Sequence, residues 1–415
     1  MNTDRFTDRL KAYYHHLFSD TSSPDYLLFF LVSSLMIVSV VFSYSLSIYA
    51  IDFYGYGEFH FFIRQFLVVS VAITIMWILS KINPDYYIQN LSFGLFFGFT
   101  LLMFLMPLMP ESLVRASGGA NRWIRLPGFS LSPVEFFKIG FIYFLAWSFE
   151  RKVSQYETLD LKEEFKLLLP YFLVFLVVVF LIAFLQKDLG QVVLLASILA
   201  IMLVFSNRSF KLFATLGAVG IVGVILLINS ATHRIHRFQQ WWGGVQDSVL
   251  SFFPDAIASK LRVDDFPEPY QVSHSLNAIH NGGFFGQDLA NGDIKLGFLS
   301  EVHTDFILAG IAEEWGIVAL YLIVVTILMI CWRILKIANR TQNSIYHLFA
   351  VGIAVMIIVA FLINSLGISG VMPVKGLAVP FLSYGGSAII ASSIAIGMIL
   401  SISKTTKKED SHENQ

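Results

Sequence analysis

From Leu167 to Phe205 the chain reads LLLPYFLVFLVVVFLIAFLQKDLGQVVLLASILAIMLVF, two apolar runs parted by the short polar turn Gln186-Lys187-Asp188-Leu189-Gly190. A helix rises about 1.5 Å per residue and a bilayer's hydrocarbon core is about 30 Å thick, so roughly 20 apolar residues make one crossing. Each run is close to that length, and the only charges lie in the turn. The stretch therefore predicts two membrane helices crossing in opposite directions, with Lys187 and Asp188 at one surface. The pattern recurs along the chain. Apolar runs near 26–50, 60–80, 91–109, 133–149, 165–185, 189–206, 211–230, 304–335, 345–369 and 377–402 predict an all-α integral membrane protein with about ten transmembrane helices.

Composition agrees, because 56% hydrophobic and 14% charged residues with a mean hydropathy of +0.69 leave too little polar surface to cover a soluble globule. A net charge of −1 offers no basic face, so no nucleic acid is expected as a partner. Cys331, the one cysteine, cannot pair within the chain and rules out a Cys-based metal site. The first 25 residues lack the apolar core and cleavage site of a removable signal, so the first span is the expected insertion signal. Ten spans put both termini on one side, and Lys and Arg decide which. That side carries 16 of them, whereas the short loops opposite carry only Arg115, Arg122, Arg125, Lys187 and Lys375. Both termini are thus expected in the cytoplasm, and the long polar loop 231–303, between helices 7 and 8, outside. The expected organisation is an N-terminal segment 1–25, one membrane domain 26–403 and a polar cytoplasmic tail 404–415.

Charge inside an apolar span costs at least about 2.5 kcal/mol at the bilayer centre, so each such residue needs a partner, a wet cavity or a task. In Ser132-Pro133-Val134-Glu135-Phe136-Phe137-Lys138, Pro133 opens a helix and Glu135 and Lys138 share one face. They read equally as an ion pair or as a polar patch open to a membrane-borne substrate. Asp188 reads as a turn residue capping the next helix, or as part of a site. Arg122, Trp123 and Arg125 form an interfacial stretch of the kind that also serves as plain anchoring. Glu313 and Glu314, deep in the eighth run, are expected to pack against polar groups of other helices. His303-Thr304-Asp305 stands where the long loop meets that run, which gives Asp305 a wet neighbourhood; a helix cap is its bland use. In Val379-Pro380-Phe381-Leu382-Ser383-Tyr384-Gly385-Gly386-Ser387, Pro and Gly-Gly interrupt a span. Irregular backbone at that depth survives only against protein or water, and its N–H groups could nest an anion near Lys375.

Four ordered stretches, GGANRWIRLPGFSLSPVEFFKIG (118–140), QKDLG (186–190), SLNAIHNGGFFGQDLANGDIKLGFLSEVHTDFILAGIAEEWG (275–316) and GVMPVKGLAVPFLSYGGS (370–387), resemble the SEDS family of shape, elongation, division and sporulation proteins. The resemblance runs over nearly the whole chain. It implies a peptidoglycan glycosyltransferase that polymerises lipid II on the outer face of the bacterial cytoplasmic membrane, beside a class B penicillin-binding protein and other divisome proteins. It also implies that Asp305 is essential for polymerisation, that Trp123, Glu135 and Lys138 line a cavity, and that Asp188 and Ser383-Tyr384-Gly385-Gly386 lie near it. The run from Gly286 to Asn291 and Lys295-Leu296 look like division rather than elongation members, which implies a septal location. The chain departs from the family pattern beside the motif residues: QKDLG lacks the usual Pro before Asp, LSEVHTDF replaces a Pro-Glu-Ala-His pattern, and 286–290 lacks a usual glycine or two.

Lipid II carries its own pyrophosphate leaving group, so the chemistry needs a base for the acceptor hydroxyl and positive charge for the departing pyrophosphate. Asp305 is the expected base, with Arg122, Lys138, Lys375 and the 383–386 backbone on the pyrophosphate and His303 and Thr304 at its flank. A divalent cation, Mg2+ or Mn2+, is the alternative companion of Asp305; sequence leaves the two roles open. Two other classes compete, a lipid II flippase and a non-catalytic scaffold. Transporters often show inverted repeats with broken helices in matching positions, and here the main interruption lies in one late span.

Overall fold

The computed structural model describes residues 23–114, 121–153, 160–206, 210–230, 232–263, 270–294, 296–299, 302–373 and 376–413. Among them the regular structure is helical apart from one hairpin, in which β1 (Ile124–Leu126) runs antiparallel to β2 (Phe129–Leu131) with Ile124 opposite Leu131. Polar residues at the ends of the apolar runs set the helices. Asp25 caps α1 (Tyr26–Ser45), which leads through α2 (Ile48–Tyr54) to α3 (His60–Lys81). Helix α4 (Pro84–Leu105) begins seven residues before the expected run at 91. Asn83 accepts an N–H of its first turn and Pro84 fixes its first φ, a start signal that hydropathy does not register. Pro133 opens α5 (Pro133–Ser148), and an Asp160/Glu163 capping box opens α6 (Leu161–Val179), which widens into a π-turn over Phe180–Leu185. Asp188 then caps α7 (Leu189–Phe205).

Helix α8 (Phe210–Asn229) is followed by α9 (Thr232–Leu250), and the segments Gly217–Asn229 and Arg234–Leu250 meet at 109°. The expected long loop is thus largely helical, continuing through α10 (Asp255–Leu261) and α11 (Tyr270–Gly282). The last three helices are α12 (Ile307–Arg340), α13 (Ser344–Ile368) and α14 (Gly386–Glu413). Among the described residues seven helices can cross a membrane by length and composition, eight if the bent pair counts as one span. The chain is an integral membrane protein, and the number ten is not established: α5 and α7, at 16 and 17 residues, are shorter than a full crossing.

Helices α13 and α14 form the centre, with 78% and 72% of their apolar windows buried, against 22% for α3 and 28% for α4, whose exposed Phe, Leu and Ile side chains suit lipid. Helix α12 is interrupted at Gly316 (φ 73, ψ −177), a conformation open to glycine. There the chain between α11 and α12 inserts: Ile317 N–H donates to Gly283 O, and Glu313 O accepts from Gln287 N–H. Glu313 meets another helix as expected, through Asn281 of α11, and is held by loop backbone as well. Its Oε1 accepts from Asp293 N–H and Ile294 N–H, both at 2.9 Å, and from the Asn281 amide at 3.1 Å. Glu314 also meets another helix, taking the Ser45 hydroxyl of α1. The first turns of α12 and the turn before them are thus fixed from both sides.

Candidate functional site

A cavity of about 1610 Å³ opens between α2, α3, the hairpin, α9 and the turns preceding α12 and α14. Of the residues singled out in the sequence, Arg122, Trp123, Glu135, Asp188, the turn His303-Thr304-Asp305 and the segment Tyr384-Gly385-Gly386 all line it. They come from four separate stretches of chain. Lys138 lies off it, lining a small adjoining cavity of about 30 Å³ with Glu135 and Gln191. Ser383 is buried beneath the wall, and Lys375 lies outside the described residues.

One wall is a continuous polar network. Arg122 Nε lies 3.2 Å from Asp188 Oδ2, and its Nη2 donates to the Lys187 carbonyl at 3.4 Å. Asp188 caps α7 by accepting the Gln191 N–H, and it also lines the cavity. The Gln191 amide donates to Glu135 Oε1 at 2.8 Å, and Glu135 Oε2 meets Lys138 Nζ at 2.8 Å. Burial pushes the Asp188 carboxyl up from its ordinary range, with Arg122 pulling the other way. A buried pair of this kind is costly to dehydrate and contributes position more than stability.

The floor is the turn before α12. Its three carbonyls are each held from the 364–384 region: His303 O by Tyr384 N–H at 2.9 Å, Thr304 O by the Ser383 hydroxyl at 2.7 Å, and Asp305 O by the Asn364 amide at 2.7 Å. Phe306, not Asp305, occupies the cap position of α12, so Asp305 lies in the turn ahead of the helix rather than opening it. Its side chain is half-buried. Gly376 (φ +59) passes so close that a Cβ there would sit 2.9 Å from Asp305 Oδ2 and 3.9 Å from Arg122 Nη1, which brings the carboxylate and the guanidinium into one neighbourhood. His303 is packed between Phe61 and Tyr384, with ring centroids at 5.0 and 5.5 Å. Burial lowers its pKa to about 4, so the imidazole is neutral at ordinary pH.

In the backbone 383–386 expected on the pyrophosphate, the first two N–H groups are already engaged. The N–H groups of Leu382 and Ser383 go to Val379 O and that of Tyr384 to His303 O, while Phe381 is strained into the left-handed region at φ 66. What faces the cavity is the first turn of α14, from Gly386 to Ala388, the positive end of a helix dipole. Sequence reading passed over Arg64, one turn into α3, which lines the cavity and donates to Gly128 O in the hairpin turn at 3.2 Å; a lone cation in an apolar run was its signal. Arg237 and Trp241 of α9 were passed over as well, hidden in a polar loop.

The family model described as cell cycle protein, that of FtsW, RodA and SpoVE, matches residues 25–408. The chain belongs to the FtsW/RodA/SpoVE family. A family member from Helicobacter pylori, called probable peptidoglycan glycosyltransferase FtsW, is 48% identical over 381 residues, covering 92% of this chain and 98% of its own. A namesake from Trichlorobacter lovleyi is 33% identical over 308 residues, 74% of each chain. Among solved structures, a chain from a peptidoglycan synthase complex that coordinates polymerization and crosslinking superposes with a TM-score of 0.68 at 22% identity, covering 92% of this chain and 98% of that one. RodA of Thermus thermophilus gives 0.60 at 21% identity, with 92% and 96% covered. The family fold is thus shared at low identity.

Proposed function

We propose that this chain is a peptidoglycan glycosyltransferase that polymerises lipid II at the outer face of the bacterial cytoplasmic membrane, for the septal wall laid down in cell division. The observation that carries this reading is the placement of Asp305, half-buried on the floor of a cavity large enough for sugars and within reach of Arg122. Kinship with chains called FtsW supports the activity and the division role. Both termini then lie in the cytoplasm, as the Lys and Arg distribution requires.

In the reaction, Asp305 takes the proton of the acceptor sugar's 4-hydroxyl as that oxygen attacks C1 of the other chain. The bond from C1 to the phosphate oxygen breaks, C1 inverts, and the polyprenyl pyrophosphate departs. Arg122 and the first turn of α14 face the cavity where that negative charge collects. Neutral His303, wedged between aromatic rings, holds the turn rather than exchanging protons. A Mg2+ or Mn2+ ion beside Asp305 would supply further charge. No group of three His, Cys, Asp or Glu that could hold a metal occurs among the described residues, so of the cavity floor only Asp305 offers such an ion a carboxylate. A chain of like fold works in a synthase complex that couples polymerization to crosslinking, which supports a class B penicillin-binding protein as partner.

The test is glycan synthesis from purified lipid II by this chain and its partner in detergent. Strands made by wild type and not by Asp305→Asn support the reading. Absence of product from wild type, with lipid II scrambled across vesicles instead, would favour a flippase; absence of both leaves a scaffold.

A further inference from the structure

A second part of the cavity lining, away from the Arg122–Asp188 pair in sequence, is of another kind. Tyr49, Phe53, Tyr54, Tyr56, His60 and Phe61 all line the cavity and touch in sequence. Ring centroids lie 5.7 Å apart for Tyr49–Phe53, 5.0 Å for Phe53–Tyr54, 5.9 Å for Tyr54–Tyr56, 4.3 Å for Tyr56–His60 and 5.7 Å for Tyr56–Phe61. Phe61 carries the row on to His303 and Tyr384, beside Asp305. Tyr54 and Tyr56 are 65% and 45% exposed, and His60 stacks on one face of the Tyr56 ring.

Aromatic residues at this level often serve as a belt against lipid. Three features set this row apart. It borders the cavity. It is backed by polar contacts, since Arg64 donates to His60 Nε2 at 3.3 Å and to Gly128 O. And Gly297 of the chain before α12 seats against the Tyr49 ring, which places protein rather than lipid at that end. A ring's electron-rich face attracts the axial C–H groups of a β-linked pyranose, and consecutive rings match consecutive sugars in a chain.

We propose that this aromatic row is a sugar-stacking track that holds the uncharged glycan strand as it extends from Asp305, while the charged wall holds pyrophosphate. The proposal rests on the glycosyltransferase reading above. It is tested by titrating a β-1,4-linked hexamer of N-acetylglucosamine into the full chain in detergent, with saturation-transfer NMR as readout. Wild type and a Tyr54→Phe/Tyr56→Phe variant are expected to bind alike. Tyr54→Leu/Tyr56→Leu, as apolar as a lipid belt requires but without ring faces, is expected to bind about tenfold or more weakly. Equal binding by the leucine variant, loss in the phenylalanine variant, or no binding by wild type would each overturn the track. A wild type that binds the hexamer but makes no strands would sink the glycosyltransferase reading and leave the track standing. Strands of unchanged length from a leucine variant that binds normally would do the reverse.

Discussion

At the end of the bundle that carries the termini, Asp25 caps α1 and pairs with Arg333 of α12, while its own N–H donates to the Ser403 hydroxyl of α14. Lys404 gives its ammonium to the Lys81 carbonyl, and Ser401 its hydroxyl to that of Ile82. At the cavity end the same residue types pair as Arg122–Asp188 and Glu135–Lys138 but line the large cavity or the small one beside it. Lys187 and Phe381, two of the non-glycine residues with positive φ among the described ones, stand beside Asp188 and the 383–386 segment in turns at the cavity end. Left-handed residues cost on the order of 1–3 kcal/mol each and persist where the surroundings hold them. Buried charge thus closes helix ends at one end of the molecule and shapes a site at the other.

Substitutions should separate the two ends. The largest effect is expected for Asp305→Asn, which should lower lipid II polymerisation by about 10²–10⁴-fold, the usual contribution of a general base. Gly376→Ala should follow, because its Cβ would press on Asp305 Oδ2 from a left-handed backbone; strand synthesis should drop by up to roughly 10²-fold while the helical circular dichroism is kept. At the other end Asp25→Asn leaves Arg333 with no carboxylate partner and should lower unfolding free energy by about 3 kcal/mol in denaturant titration, with little change in the rate of the folded fraction. Comparable in size to the Asp25 effect is that of pH on His303. Its pKa falls from about 6.5 unfolded to about 4 folded, so the unfolded chain binds the extra proton and stability falls as pH drops from about 6.5 to 4. Melting curves of wild type and His303→Asn should therefore diverge across that window and run parallel above it.

Much of this was legible in the sequence. Helices announced themselves because a membrane leaves no alternative to long apolar runs, and Asp305, Asp188, Arg122 and Glu135 stood out as charge where charge is expensive. Other features needed the fold. The last span was expected from 377 but its helix begins at Gly386, because Ser383 and Tyr384 bond to a turn some eighty residues earlier. The aromatic row escaped notice because Tyr and Phe near a span end are the commonest of interfacial residues, and only their arrangement about a cavity distinguishes them.

The central claim, that Asp305 serves the reaction and Asp25 the fold, is tested most directly by measuring strand synthesis and thermal unfolding of Asp305→Asn and Asp25→Asn side by side in one detergent. A crossed result is expected, with rate lost and melting kept in the first, melting lowered and specific rate kept in the second. A parallel fall of rate and melting temperature in both would contradict it.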